Sequence, residues 1–379
     1  MRRYDIDSIR VIIFGLLIFY HIGMFFVPWD FHIKNSTTYE WLQYPMFFLN
    51  QWRLPLLFVV SGMGTYFSIS KRSGGSFAQE RFVRLFIPLA IGMLFIVPPQ
   101  VYFERLATGA FTGSFFDFYP SMAFIGFYPE GNISWHHLWF LPYLLLFSLV
   151  LIPVFRYLVK NPQAWIIRKV KGLATHKFGL FVLAIPLILW YVFLRLRFPS
   201  TLGLVGDWFN IVNYGTLFFY GFLLMTLKNT LWENVTKNRR LYLIAGVITF
   251  SLIMLLWLGV GYFPYRAELS NIFRAVNAWS WILAIIGYAA TYLNKPSRTL
   301  SYANEAVYPF YILHQTVIIA LGFYLKNVEM CSVAKFSIML IGTFGITWLI
   351  YEFGIRRFRW IRPLFGMKGK AEKRNDRCC

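Results

Sequence analysis

Charge is what this sequence has least of. Only 14% of its 379 residues are Asp, Glu, Lys or Arg, against roughly 25% in an ordinary soluble domain. Two or three soluble domains need polar coats, and there are too few charges here to make them. Disorder is excluded as well: 58% of the residues are hydrophobic and 21% aromatic, and disordered chains are poor in both. Cysteine is almost missing. Cys331, Cys378 and Cys379 are the three present, too few and too badly placed for a disulfide framework or a zinc cluster, so no metal and no permanently bound cofactor is expected. The chain also lacks a phosphate loop, a dinucleotide fingerprint and a Gly-x-Ser-x-Gly elbow.

Long apolar runs are what it has. A helix that crosses a bilayer needs about 20 mostly apolar residues. Such runs fall at 11–29, 45–69, 85–103, 138–155, 178–194, 210–227, 241–263, 275–293, 305–325 and 336–355. The sequence thus predicts an all-α polytopic membrane protein of about ten transmembrane helices. The first run follows Arg2 and Arg3, has no small-residue cleavage site and runs on to Pro28, so it reads as a retained helix and not a signal peptide.

The basic residues test that layout. With the N-terminus inside, roughly three quarters of the 37 Lys and Arg fall in cytoplasmic segments, as the positive-inside rule requires. Both termini are then cytoplasmic, and the net charge of +21 speaks of topology and lipid contact, not of nucleic acid. Residues 1–355 read as one transmembrane domain and 356–379 as a basic, mobile cytoplasmic tail. Cys378 and Cys379 at its end read as a chance pair or a lipidation site. The outside loop at about 104–137 is rich in Phe and Gly and long enough for a lid or binding loop.

Ionisable groups inside spans are costly and therefore candidates for function. Arg10 and His21 are eleven residues apart, about three turns plus 20°, which sets them on one face about 16 Å apart along the axis. Asp7, one turn before Arg10, is placed to pair with it. An arginine at the cytoplasmic mouth would hold an anionic donor, and a deeper histidine would take a proton from a hydroxyl. The plainer reading gives Arg10 to a lipid phosphate and His21 to a neighbouring helix. Arg81 and Arg84, at i and i+3, suit a phosphate or pyrophosphate or an ordinary positive flank. His136 and His137 sit beside Trp139 at an aromatic interface; adjacent in sequence, they suit a metal poorly. Arg53 lies within a span two residues before Pro55, whose break frees carbonyls, with Ser61-Gly62 beyond. Glu305 and His314, nine residues apart, point to opposite faces of the ninth span, with Glu305 suited to cap its inner end. Ten spans with buried charge also suit a transporter or flippase of a glycan or acyl intermediate.

Taken in order, these pieces resemble the integral-membrane acyltransferase-3 family. Tyr4-Asp5-Ile6-Asp7-Ser8-Ile9-Arg10 with His21 looks like its Arg-x10-His motif, and Arg81-Phe82-Val83-Arg84 like its Arg-x-x-Arg. Ser61-Gly62 is similar to its second-helix signature, His137-Leu138-Trp139-Phe140-Leu141 to its fourth-helix motif, and Ser301 through Tyr311-Ile312-Leu313-His314 to its ninth-helix pattern. The resemblance covers about residues 4–320. The opening motif and the His-Leu-Trp-Phe-Leu stretch are most similar to a branch that acts on envelope glucans. It implies that acyl-CoA (acetyl-CoA or succinyl-CoA) is the co-substrate and that a glycan hydroxyl is the acceptor. It also implies that His21 is catalytic with Arg10, that Arg81 and Arg84 bind the donor, and that the protein sits in a bacterial inner membrane. Nothing in these residues resembles the fused esterase-like domain of some relatives, so the expectation is a chain that would act alone or with a partner in periplasmic glycan synthesis.

Overall fold

The computed structural model describes residues 3–259 and 264–369. Among them the regular structure is helical, with one isolated bridge between Phe127 and Ile133. The main helices are α1 (Tyr4–Met24), α2 (Gln43–Ile69), α3 (Gly74–Thr108), α4 (Phe115–Ser121), α5 (His136–Val150), α6 (Ile152–Lys160) and α7 (Trp165–Thr175). They continue with α8 (Gly179–Phe193), α9 (Trp208–Thr226), α10 (Asn229–Trp257), α11 (Arg266–Tyr292), α12 (Arg298–Leu325) and α13 (Ser332–Ile355).

Six of these, α1, α3 and α10 to α13, are long and apolar enough to cross a membrane, or seven if α5 and α6, bent by 52°, make one broken span. That is fewer than the ten apolar runs of the sequence, although each run falls on a helix. The shortfall has local causes. α2 carries Gln51 and Arg53, α8 is short, and α9 carries Asn210 and Asn213. The outward faces are as apolar as cores: on α10, Ile244, Val247, Ile248 and Leu255 are 47–56% exposed. A stripe of that size facing water would be costly, and facing acyl chains it is not.

The chain forms two compact units. The first comprises Met1–Gly15, Tyr44–Gln79 and Tyr143–Asn304. Within it α2 and α9 cross in backbone contact. A Cβ on Gly62 would lie 2.0 Å from the Phe218 carbonyl oxygen, and one on Gly221 1.9 Å from that of Val59. Small residues at a crossing let apolar helices approach where no hydrophobic drive separates protein from lipid. Buried Asp207 accepts from Tyr143, from the Leu202 amide (3.0 Å) and from Asn210 (3.0 Å). This ties the loop before α9 to α5.

The second unit comprises Leu16–Gln43, Glu80–Pro142 and Glu305–Cys379. Its core is Ile18, Ile22, Phe25, Phe26 and Ile33 against Ile318, Ile319 and Met339. The first five come from the end of α1 and the segment after it, which turns back because Lys34 Nζ donates to the carbonyls of Met24 (2.7 Å) and Trp29 (2.9 Å). Arg105 pins the aromatic loop, donating to Asn132 Oδ1 (2.9 Å) and to the Pro129 and Gly131 carbonyls (2.8 and 2.7 Å). Helix α3 is irregular, with π-helical turns at Phe82–Phe86 and Gly92–Ile96. The first part of the tail is folded: Arg362 is buried and donates to Glu305 (2.8 Å), to the Lys368 carbonyl (2.8 Å) and to that of Arg356 (3.1 Å). Cys378 and Cys379 lie outside the described residues.

Candidate active site

Five of the six histidines of the sequence, His21, His32, His136, His137 and His314, lie in the second unit. His21 is in the last turn of α1, and the packing of Ile18 and Ile22 against Ile318 and Ile319 brings it to α12. There its Nδ1 is 2.8 Å from Nε2 of His314, with the two ring planes 3° apart. His314 is fully buried, and its Nδ1 lies 2.7 Å from the Tyr311 carbonyl oxygen and 3.1 Å from that of Phe310.

These contacts assign the protons. A carbonyl only accepts, so Nδ1 of His314 carries the hydrogen and its Nε2 carries the lone pair. The hydrogen between the rings must then belong to Nδ1 of His21, which places the lone pair of His21 on Nε2. A histidine held at one nitrogen and basic at the other is the arrangement of a general base or nucleophile with an orienting partner. Here the partner is a neutral imidazole in place of the usual carboxylate.

His137 steadies α12. Its Nε2 donates to the Ile312 carbonyl (3.0 Å), its own carbonyl accepts from Tyr311 Oη (2.6 Å), and its ring stands edge-on to His314 at 5.2 Å. Gln100 of α3 joins the same layer, donating to Thr316 Oγ1 (2.8 Å) and accepting from Gln315 (3.2 Å). A buried polar layer of this kind is costly unless satisfied, and once satisfied it fixes one arrangement.

Arg81 and Arg84 are in the same unit. The π-helical turn at Phe82–Phe86 widens the angle between residues three apart, so they share a face less closely than a regular α-helix would allow. Arg84 is exposed, 3.3 Å from Glu80 and 3.4 Å from the Gly366 carbonyl oxygen, and its own carbonyl accepts from Tyr308 Oη (2.9 Å). In the first unit, Arg10 Nη1 lies 3.3 Å from Asp7 Oδ1 and 3.1 Å from Asn304 Oδ1.

A family model described as an acyltransferase domain matches residues 3–352. The chain belongs to the acyltransferase-3 family. It is similar to glucans biosynthesis protein C of Escherichia coli strain K12, at 21% identity over 392 residues, covering 99% of this chain and 97% of that protein. The protein of the same name in Escherichia coli O9:H4 strain HS matches at the same identity and coverage. No solved structure matches the chain. Family and apolar helices together make this an integral membrane acyltransferase.

The other expected residues of this acyltransferase are dispersed. Arg53 is 2% exposed inside α2 of the first unit, where Ser61 accepts through its carbonyl from Thr65 (3.0 Å). Trp139 is buried at the start of α5. Glu305 is not at the first turn of α12, which begins at Arg298; it pairs with Arg362 of the tail, while His314 bonds His21. Among the described residues no group of three or more His, Cys, Asp or Glu is placed to hold a metal ion.

The sequence reading missed His32 and Glu104. Nδ1 of His32, in the segment after α1, bonds the Glu104 carboxylate. The same Oε2 accepts from Tyr128 Oη at 3.5 Å, and Arg105 Nη1 is 3.9 Å from the other carboxylate oxygen, Oε1. Burial, with Glu104 beside it, raises the Tyr128 hydroxyl to about 12, so it stays a donor. His136 stacks on His32 with centroids 4.4 Å apart. Its backbone is left-handed (φ +39°), and both its ring nitrogens are buried without a hydrogen bond. Strain of that kind costs about 1–3 kcal/mol and gathers at functional sites. The signal open to sequence reading was a histidine and a glutamate just beyond the ends of two apolar runs.

Proposed function

We propose that the protein transfers an acyl group, acetyl or succinyl, from acyl-CoA to a hydroxyl of a carbohydrate at the cell envelope, in a bacterial inner membrane. The observation that carries this reading is the His21–His314 pair, which leaves a lone pair on Nε2 of a histidine within a membrane helix. In this reading Nε2 of His21 either takes the proton of the acceptor hydroxyl or attacks the thioester itself. His314 holds the ring and shares the positive charge that then develops.

Arg81 and Arg84 are assigned to the phosphates of the coenzyme, where guanidinium groups bind bidentately. Arg10, held by Asp7 and Asn304, is assigned to the anionic donor on the cytoplasmic side. The glucan acceptor is suggested by the printed name of the relatives. Acetyl and succinyl differ by one carboxylate, and Arg53 is the residue we assign to that choice.

The test is acyl transfer in detergent. Purified protein is incubated with radiolabelled acetyl- or succinyl-CoA and a glucose oligosaccharide. Label on the oligosaccharide without a sealed compartment supports an enzyme and excludes a transporter, which needs two compartments. His21→Ala should abolish the transfer; full activity at equal protein would remove His21 from the chemistry.

A further inference from the structure

We propose that His32, oriented by Glu104, is a second base that takes the proton of the acceptor hydroxyl while His21 carries the acyl group covalently. The inference deepens the acyl-transfer reading and rests on it.

Two histidines of the second unit are prepared alike. His21 gives its Nδ1 hydrogen to His314, and His32 gives its Nδ1 hydrogen to Glu104. In the neutral form each has its lone pair on Nε2. Among the described residues no hydrogen bond engages Nε2 of His32, and the stacked ring of His136 holds its plane. Both rings lie near one aromatic side chain: the Phe31 centroid is 6.4 Å from that of His21 and 5.3 Å from that of His32. Tyr128 and Arg105 face Glu104 and hold it in place.

Chemistry explains why two bases are built. Once Nε2 of His21 bears an acyl group its lone pair is used, and it cannot also accept a proton. In the first step that lone pair forms a bond to the thioester carbonyl carbon. The C–S bond breaks, and its electron pair leaves on sulfur as the CoA thiolate. In the second step the acceptor hydroxyl gives its proton to Nε2 of His32 as its oxygen bonds the acyl carbon. The C–N bond then breaks and its pair returns to His21. His32 then loses its proton to the solvent it faces and the thiolate takes one from the solvent on its own side, so thioester and alcohol become ester and thiol with no other reactant. His32 is catalytic in this scheme, and Glu104 is a positioning residue.

The test uses the full chain in detergent with radiolabelled acetyl- and succinyl-CoA, and the wild type is measured first. A wild type that labels no glucose oligosaccharide sinks the acyl-transfer reading and this inference with it. With an active wild type, His32→Ala should release one equivalent of CoA at the wild-type rate and keep the label on the protein. Transfer to the oligosaccharide should slow by about 10²–10⁴-fold, the usual worth of a general base. Hydroxylamine, which needs no base, should discharge the label from variant and wild type at equal rates, and exogenous imidazole should restore transfer. Glu104→Gln, which keeps the shape, should also hold the label and shift the pH profile of the second step. His32→Ala that transfers at the wild-type rate, or that neither releases CoA nor holds label while remaining folded by thermal melting, overturns the inference and leaves the His21 assignment standing.

Discussion

Replacing His314 by alanine removes the acceptor of the His21 Nδ1–H bond and leaves the His21 ring without the partner that selects its tautomer. The bond is 2.8 Å long and joins coplanar rings, with His314 fully buried. In the ground state it is a neutral hydrogen bond, worth about 0.5–1.5 kcal/mol. When His21 gains positive charge, by a proton or an acyl group, it becomes a bond to a charged group, worth about 1.5–3 kcal/mol. The transition state therefore loses about 1–1.5 kcal/mol more than the ground state, the difference between the two bonds. At 1.36 kcal/mol per tenfold, kcat should fall about 5- to 12-fold. The Michaelis constant for acyl-CoA should stay within about threefold, because the bond strengthens only in the transition state. His314→Gln keeps a carbonyl acceptor and should recover part of the loss. The assay is radiolabelled acyl transfer in detergent over a range of donor concentrations, with thermal melting to exclude unfolding, since truncating a buried side chain also costs packing. Unchanged kcat in folded His314→Ala, or a loss confined to the donor Michaelis constant, would refute the tautomer argument.

Gly221→Ala places a methyl group 1.9 Å from the Val59 carbonyl oxygen. The α2–α9 crossing must then open, at a cost of about 3 kcal/mol or more, read as a lower melting temperature; an unshifted melt counts against backbone contact there. Replacing both Arg81 and Arg84 by Gln should weaken acyl-CoA binding by about 10- to 100-fold in calorimetry, given charge-assisted bonds of about 1.5–3 kcal/mol. An unchanged affinity returns both residues to topology. Burial lowers Lys34 from 10.5 to about 8, with Asp30 opposing. Between those values the unfolded chain holds more protons than the folded one, so stability should rise with pH from about 8 to 10.5, with no such slope below 8. Lys34→Met should flatten that rise in melting temperature, and parallel curves for the two proteins would contradict it.

Several features were open to reading along the chain because they depend on what each segment meets by itself. A bilayer acts on every run of about 20 residues separately, so the apolar stretches announce helices before any packing is known. Helical periodicity puts Arg10 and His21 on one face in the same way. Asp7 beside Arg10 is likewise a neighbour one turn away, and the structure has that bond. The number of helices fit to cross a membrane was less legible. Polar residues such as Arg53, Asn210 and Asn213 lie inside apolar runs, and α5 breaks from α6 by 52°.

Sequence alone determined the class of molecule, its apolar helices and the placement of His21 on the first of them. Tertiary structure decided what His21 touches. Its partner is 293 positions away, and only the packing of α1 on α12 brings the two rings to 2.8 Å. The same holds for His32 and Glu104, separated by 72 positions and joined because the segment after α1 folds back. Two further decisions were also tertiary: the π-helical turn that changes the bearing of Arg81 and Arg84, and the ion pair that gives Glu305 to the tail. The physical reason is range. Hydropathy and helical period act over one or two dozen residues, whereas a hydrogen bond acts over about 3 Å and is blind to separation along the chain. A proton's position on a histidine depends on such bonds, so the tautomer that makes His21 a base existed only in the folded molecule.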